Sequence, residues 1–102
     1  MPSIEQLEKL LKADPDDPFV HYALGQERAK LGQHDEAIEC FDRTLALDAD
    51  YCYAYYFKAI SLVELGRKEE ALGVLREGIS RAERMGDAKA LSELQTLLAT
   101  TE

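Results

Sequence analysis

The chain has 102 residues, 46% of them hydrophobic and 31% charged, with a formal net charge of −8. That length suits one domain with one modest core, and that balance of apolar to charged residues excludes a disordered chain. The acidity argues against nucleic acid and anionic membrane surfaces as partners, since both attract basic patches and no run of lysine or arginine reverses the charge locally.

The first element runs from Ile4 to just before Asp14-Pro15. Ser3 and Gln6 have the spacing of a capping box, and Ile4, Leu7, Leu10 and Leu11 form one amphipathic stripe. A second helix follows Asp17, a good N-cap, with Pro18 at its first position. Its apolar and small residues run through Phe19, Tyr22, Ala23, Leu24 and Ala29 to Leu31, and Gly32 stops it. A third helix starts near His34 and carries Ala37, Ile38, Phe41 and Leu45 on one face. After the polar turn Asp48-Ala49-Asp50, a fourth helix extends from about Tyr51 to Leu65, with Gly66 as its stop. A fifth spans about Lys68 to Met85 and buries Ala71, Leu72, Leu75 and Ile79. Gly78 inside it costs ~1 kcal/mol relative to alanine, which a close helix–helix approach explains. The last helix begins at Gly86-Asp87 and keeps Leu91, Leu94, Leu97 and Leu98 on one side. The fold class is therefore all-α, with about six helices.

A shift of 34 residues lays the chain on itself. Tyr22 falls on Tyr56, Leu31-Gly32 on Leu65-Gly66, Phe41 on Leu75, and Leu45 on Ile79. The small Thr44 falls on Gly78. A backward shift places Ile4, Leu7 and Leu11 on Ile38, Phe41 and Leu45, and Asp14 on Asp48. The organisation read from this is a half-unit at 1–16, whole units at 17–50 and 51–85, and a capping helix at 86–102. Half, two wholes and a cap make about three units, the number a self-sufficient solenoid needs.

This pattern resembles the tetratricopeptide repeat, a helix–turn–helix unit of the same period. Leu24-Gly25, Ala37, Phe41 and Thr44 carry the resemblance in the first unit, and Ala59, Ala71, Leu75 and Gly78 in the second. Pro15 matches the closing proline. His21 and Tyr55 stand where the family has tryptophan. Arg28 replaces a tyrosine and Lys58 a leucine, and their aliphatic stems are expected to lie along the helix interfaces with the charges reaching solvent. A polar contact to a partner is the alternative for both. Ala49 and Glu83 replace the closing proline. The resemblance implies a tetratricopeptide-like α-solenoid: antiparallel helix pairs in a right-handed superhelix.

It also implies a binding groove on the concave face, lined by the first helix of each unit. Carried over position by position, the groove consists of Phe19, Tyr22, Gln26 and Ala29, then Tyr53, Tyr56, Ile60 and Val63, then Ala90, Leu94 and Leu97. An apolar, aromatic stripe of this kind suits a protein contact, because tyrosine packs its ring while its hydroxyl still finds a polar partner. One subtype of the family clamps the C-terminal carboxylate of chaperone tails with lysine, asparagine and arginine. The corresponding places here hold Tyr22, Gln26, Phe57, Asp87 and Leu91, so no such tail is expected to bind.

Nothing points to catalysis, a cofactor or a metal. There is no phosphate loop, nucleophile elbow or zinc helix. His21, His34, Cys40 and Cys52 lack paired ligand spacing; His34 reads as a solvated turn residue. Asp35-Glu36 and Glu69-Glu70 begin helices, where the dipole favours negative charge. Two cysteines are too few for a disulfide framework. No apolar run reaches the ~18 residues of a membrane span, and Met1-Pro2-Ser3-Ile4-Glu5 has no signal-peptide character. A cytoplasmic location is the default. The expected function is a protein–protein interaction module holding a partner's peptide or helix. The alternative is a structural homo-oligomer that buries the same face against its own copy.

Overall fold

The computed structural model describes residues 2–102, so Met1, at the head of the segment 1–16, lies outside the described residues. The helices are α1 (Ile4–Ala13), α2 (Pro18–Lys30), α3 (His34–Leu47), α4 (Cys52–Glu64), α5 (Lys68–Met85) and α6 (Ala88–Thr101). No strand occurs among the described residues.

Local chemistry accounts for most of the helix ends. Ser3 Oγ accepts from the Gln6 amide at 3.1 Å, and the Ser3 amide donates back to Gln6 Oε1 at 2.8 Å, which closes the capping box of α1. Asp17 Oδ1 accepts from the Phe19 amide at 3.0 Å, and Asp87 Oδ1 from the Ala90 amide at 3.1 Å. No side chain caps α3 or α5, but acidic residues fill their first turns. Gly32, Gly66 and Gly86 end α2, α4 and α5 at φ of 76°, 75° and 70°, a left-handed geometry that a Cβ would strain. The turns before α2 and α4 repeat one device: Asp14 accepts from the Asp16 amide at 3.1 Å, and Asp48 from the Asp50 amide at 3.0 Å.

Each helix packs on the next in chain order. In addition the backbones of α2 and α4, and of α4 and α6, approach each other, whereas among the described residues those of α1 and α3, and of α3 and α5, stay apart. The stack therefore curves, with α2, α4 and α6 on the inside of the bend and α1, α3 and α5 splayed outside. Leu7, Val20, Ala23 and Leu24 bury one end of the core. Cys52, Tyr55, Leu62, Leu75, Ala82 and Leu94 belong to the other. Phe41, fully buried, sits between them on α3.

The stems of Arg28 and Lys58 lie along the helix interfaces as expected, but their charges end in ion pairs within the chain instead of in free solvent. Both side chains are mostly covered, and both charges end at a carboxylate: Arg28 lies 3.6 Å from Glu8, and Lys58 lies 2.6 Å from Asp42. His34 differs from its sequence reading. It is half-buried, with Nδ1 3.1 Å from Oγ of the fully buried Ser61, so it ties the start of α3 to α4 instead of facing water.

Candidate functional site: the concave face

The inner helices present a chain of aromatic rings. Tyr22 on α2 lies 4.9 Å from Tyr51, 5.9 Å from Phe57 and 6.1 Å from Phe41, between ring centroids. Tyr56 then contacts Phe57 at 5.1 Å and Tyr53 at 6.2 Å, both edge-on. These are the separations at which tilted aromatic pairs attract. Packing of this kind holds the tyrosines in place before any partner arrives, which lowers the entropy lost on binding.

Two clefts open along this face. One, of about 520 Å³ between α2 and α4, is lined by Gln26, Ala29, Phe57 and Ile60, with His34, Lys30 and Glu64 at its edges. The other, of about 230 Å³ between α4 and α6, is lined by Tyr56, Leu97, Thr96 and Glu93. A third cleft, of about 320 Å³, lies on the outer face between α3 and α5. Lys58 is paired there with Asp42, and Arg81 with Asp50 at 3.4 Å, while Glu77 lines the same cleft without an ion pair among the described residues.

The sequence-derived groove residues divide into three groups. Tyr22, Gln26, Ala29, Tyr53, Tyr56, Ile60 and Leu97 are half-buried along the inner helices. Phe19 and Val63 stand further out, 60% and 40% exposed, and Phe19 takes no part in the ring chain. Leu94 and Ala90 are 1% exposed and belong to the core. The correction for Leu94 has a packing cause: α6 closes onto α5 where Gly78 leaves room, and Leu94 fills that space. Tyr51 joins the ring chain although sequence reasoning did not place it in the groove, and Phe57, which stood there only among the clamp positions and not in the apolar stripe, joins it too. Tyr51 precedes α4 and so falls off any helical stripe, and Phe57 adjoins the Tyr53–Tyr56 stripe one residue on.

The surroundings of these rings are acidic. Burial, and then the neighbouring Tyr51, Tyr53 and Glu93, push the Tyr22 phenol well above its ordinary value. Burial raises Tyr51 too, helped by Asp17 and Asp48. Tyr53 is raised by burial first and by Glu93 next. Among the described residues its buried hydroxyl has no hydrogen-bond partner, and Glu93 stands close enough to act on the phenol. Among the described residues Lys30 is the one lysine or arginine lining either cleft, and its Nζ lies 2.9 Å from Glu27. Among the described residues no group of three or more His, Cys, Asp or Glu side chains could hold a metal ion. Among the described residues no helix is long and apolar enough to cross a membrane.

The family model for the tetratricopeptide repeat matches residues 22–88. Superkiller protein 3 of Saccharomyces cerevisiae is 36% identical over 75 residues, 74% of this chain, yet the chain spans 5% of that protein. A tetratricopeptide repeat domain protein from Salinibacter ruber, solved by NMR, is 36% identical with a TM-score of 0.80; the match covers 87% of this chain and 90% of that one. The TPR2B domain of yeast Sti1, solved in a complex with pHsp70, superposes with a TM-score of 0.90 at 19% identity, over 96% of this chain and 78% of that one. At that identity the likeness concerns the fold alone.

Proposed function

This chain belongs to the tetratricopeptide repeat family, and from that premise we propose that its concave face holds a peptide or helix of a partner protein. The observation that carries the reading is the preformed row of aromatic rings between two clefts on the inner helices. Tyr22, Tyr56 and Ile60 supply the contact surface, with Gln26 as a polar anchor inside the larger cleft. Half-buried rings held by their neighbours give large contact area at low entropic cost. The Sti1 domain, solved in complex with pHsp70, has the same fold, which supports this reading. Among the described residues no unpaired lysine or arginine lines either cleft to receive a carboxylate, so the reading takes no acidic C-terminal tail. It gives the chain no catalytic step.

Panning a random peptide library against the protein tests this. Selected peptides should lose at least about tenfold in affinity against Tyr56→Glu and against the milder Ile60→Gln, since each puts a polar group where apolar surface is buried. Substitution of the outward-facing Glu83 should change nothing. Peptides that bind both groove variants as tightly as the parent would rule out the concave face.

A further inference from the structure

The chain has twelve basic residues, and eight of them sit in ion pairs: Lys9, Arg28, Lys30, Arg43, Lys58, Arg67, Arg76 and Arg81. Among the described residues twelve of the twenty acids make no ion pair, and two of those twelve, Glu64 and Glu93, line the concave clefts. Glu64 edges the larger cleft beside Phe57 and makes no ion pair. Glu93 lines the smaller cleft beside Tyr56, is half-buried, and makes none either; Lys89, four residues earlier on α6, does not reach it. Next to Glu93 the buried Tyr53 hydroxyl also lacks a hydrogen-bond partner. Among the described residues no lysine or arginine pairs with either carboxylate. Each cleft thus combines aromatic faces, which attract cations through the ring quadrupole, with a carboxylate ready to receive one.

Resting on the groove reading above, we propose that the occupant of this face is a cationic amphipathic segment of a partner protein. Its apolar side chains enter the α2–α4 cleft, and a lysine or arginine reaches Glu93 alongside Tyr53 and Tyr56. Charge complementarity favours this occupant over the others. A second copy would set −8 against −8 and bring few free cations to the contact. An acidic tail would meet Glu64 and Glu93 unshielded. Glu93 is the stronger determinant of the two, because a half-buried charge is screened less by salt than an exposed one.

The composition of the peptides selected in the panning experiment, followed by calorimetry against Glu93→Gln, decides the matter. The expected result is enrichment of arginine or lysine beside leucine, phenylalanine or similar residues. Affinity should then fall about tenfold in Glu93→Gln, fall again with added salt, and hold in Glu39→Gln, which removes one charge from an exposed site on α3. Equal losses in Glu93→Gln and Glu39→Gln would mean attraction to net charge alone and would overturn the proposal. So would neutral or acidic winners that still depend on Tyr56, although the groove reading would survive them. Winners indifferent to Tyr56 and Ile60 would remove both. A dimer in sedimentation equilibrium that Tyr56→Glu dissociates would make a second copy the occupant and also overturn the proposal.

Discussion

The two whole repeats solve one packing problem with the bulk on opposite helices. In the pair α2–α3, Gly25 lies directly under the Phe41 ring: a Cβ at residue 25 would stand 2.6 Å from Phe41 Cε1. The matching pair in α4–α5 is Ala59 with Leu75, both fully buried. One step along the interface the arrangement reverses. There α4–α5 has Tyr55 against Gly78, where a Cβ would stand 2.7 Å from Tyr55 Cβ, and α2–α3 has His21 and Thr44 at the matching positions. Each repeat holds one glycine contact, on the first helix in one and on the second helix in the other. The hydrogen bond at this place is also kept while the residue changes. His21 Nε2 donates to the Pro15 carbonyl at 2.7 Å, and Tyr55 Oη to the Ala49 carbonyl at 2.8 Å. What the repeat preserves is the filled volume and the tie from helix to preceding turn. Residue identity is free within those limits.

Gly78→Ala is the largest test of that comparison. The obstructing atom is Tyr55 Cβ, which is anchored to the α4 backbone, and Leu94 Cδ2 stands 3.2 Å away on the other side. The helices must therefore move apart. Overpacking of this kind costs up to about 3 kcal/mol, and alanine's better helix propensity returns about 1, for a net loss of about 2 kcal/mol in urea unfolding. A variant as stable as the parent would show that Gly78 does not set the α4–α5 spacing.

Gly25→Ala should cost less, about 1 kcal/mol, because the obstructing atoms form the edge of a ring that can tilt. Phe41→Leu alone should also destabilise, by leaving a gap over Gly25. Together they rebuild the Ala59–Leu75 pair inside the first repeat, so the double variant should be about 1 kcal/mol more stable than the sum of the single losses. Full recovery is not expected, because Phe41 also packs against Tyr22 and Phe57. Strict additivity would mean that the two repeats do not share one interface volume.

These particulars show which parts of the molecule are legible in sequence. Helix ends are local, so Ser3 with Gln6, Asp17 with Pro18, and the left-handed Gly32 and Gly66 could be read directly. The small residue at position 78 could be read too, because Thr44 is its counterpart in register. Contacts that join distant segments could not. The bond from His34 to Ser61 spans 27 residues, and a histidine beside a turn gives no sign of it. In the candidate site, register placed Tyr22, Tyr53 and Tyr56 on the inner helices. It put Leu94 there as well, since a stripe on α6 does not reveal how far that helix closes onto α5. Tyr51 was missed because it lies outside α4, where helical periodicity no longer applies.

The smallest effect has the opposite sign and comes from the same helix. Gly73 lies on α5, five residues before Gly78, is exposed, and has open space where a Cβ would sit. With no contact to make or lose, Gly73→Ala acts through helix propensity and the freedom of the unfolded chain, for a gain of about 0.5–1 kcal/mol. In a domain of this size that raises the melting temperature by roughly 2–8 °C. Measured beside Gly78→Ala, the pair separates two reasons for a glycine in one helix: the inner site should lose stability and the outer site gain it from the same added methyl. A loss at residue 73 would mean that the outer face of α5 is packed against something, contrary to the open space around that position.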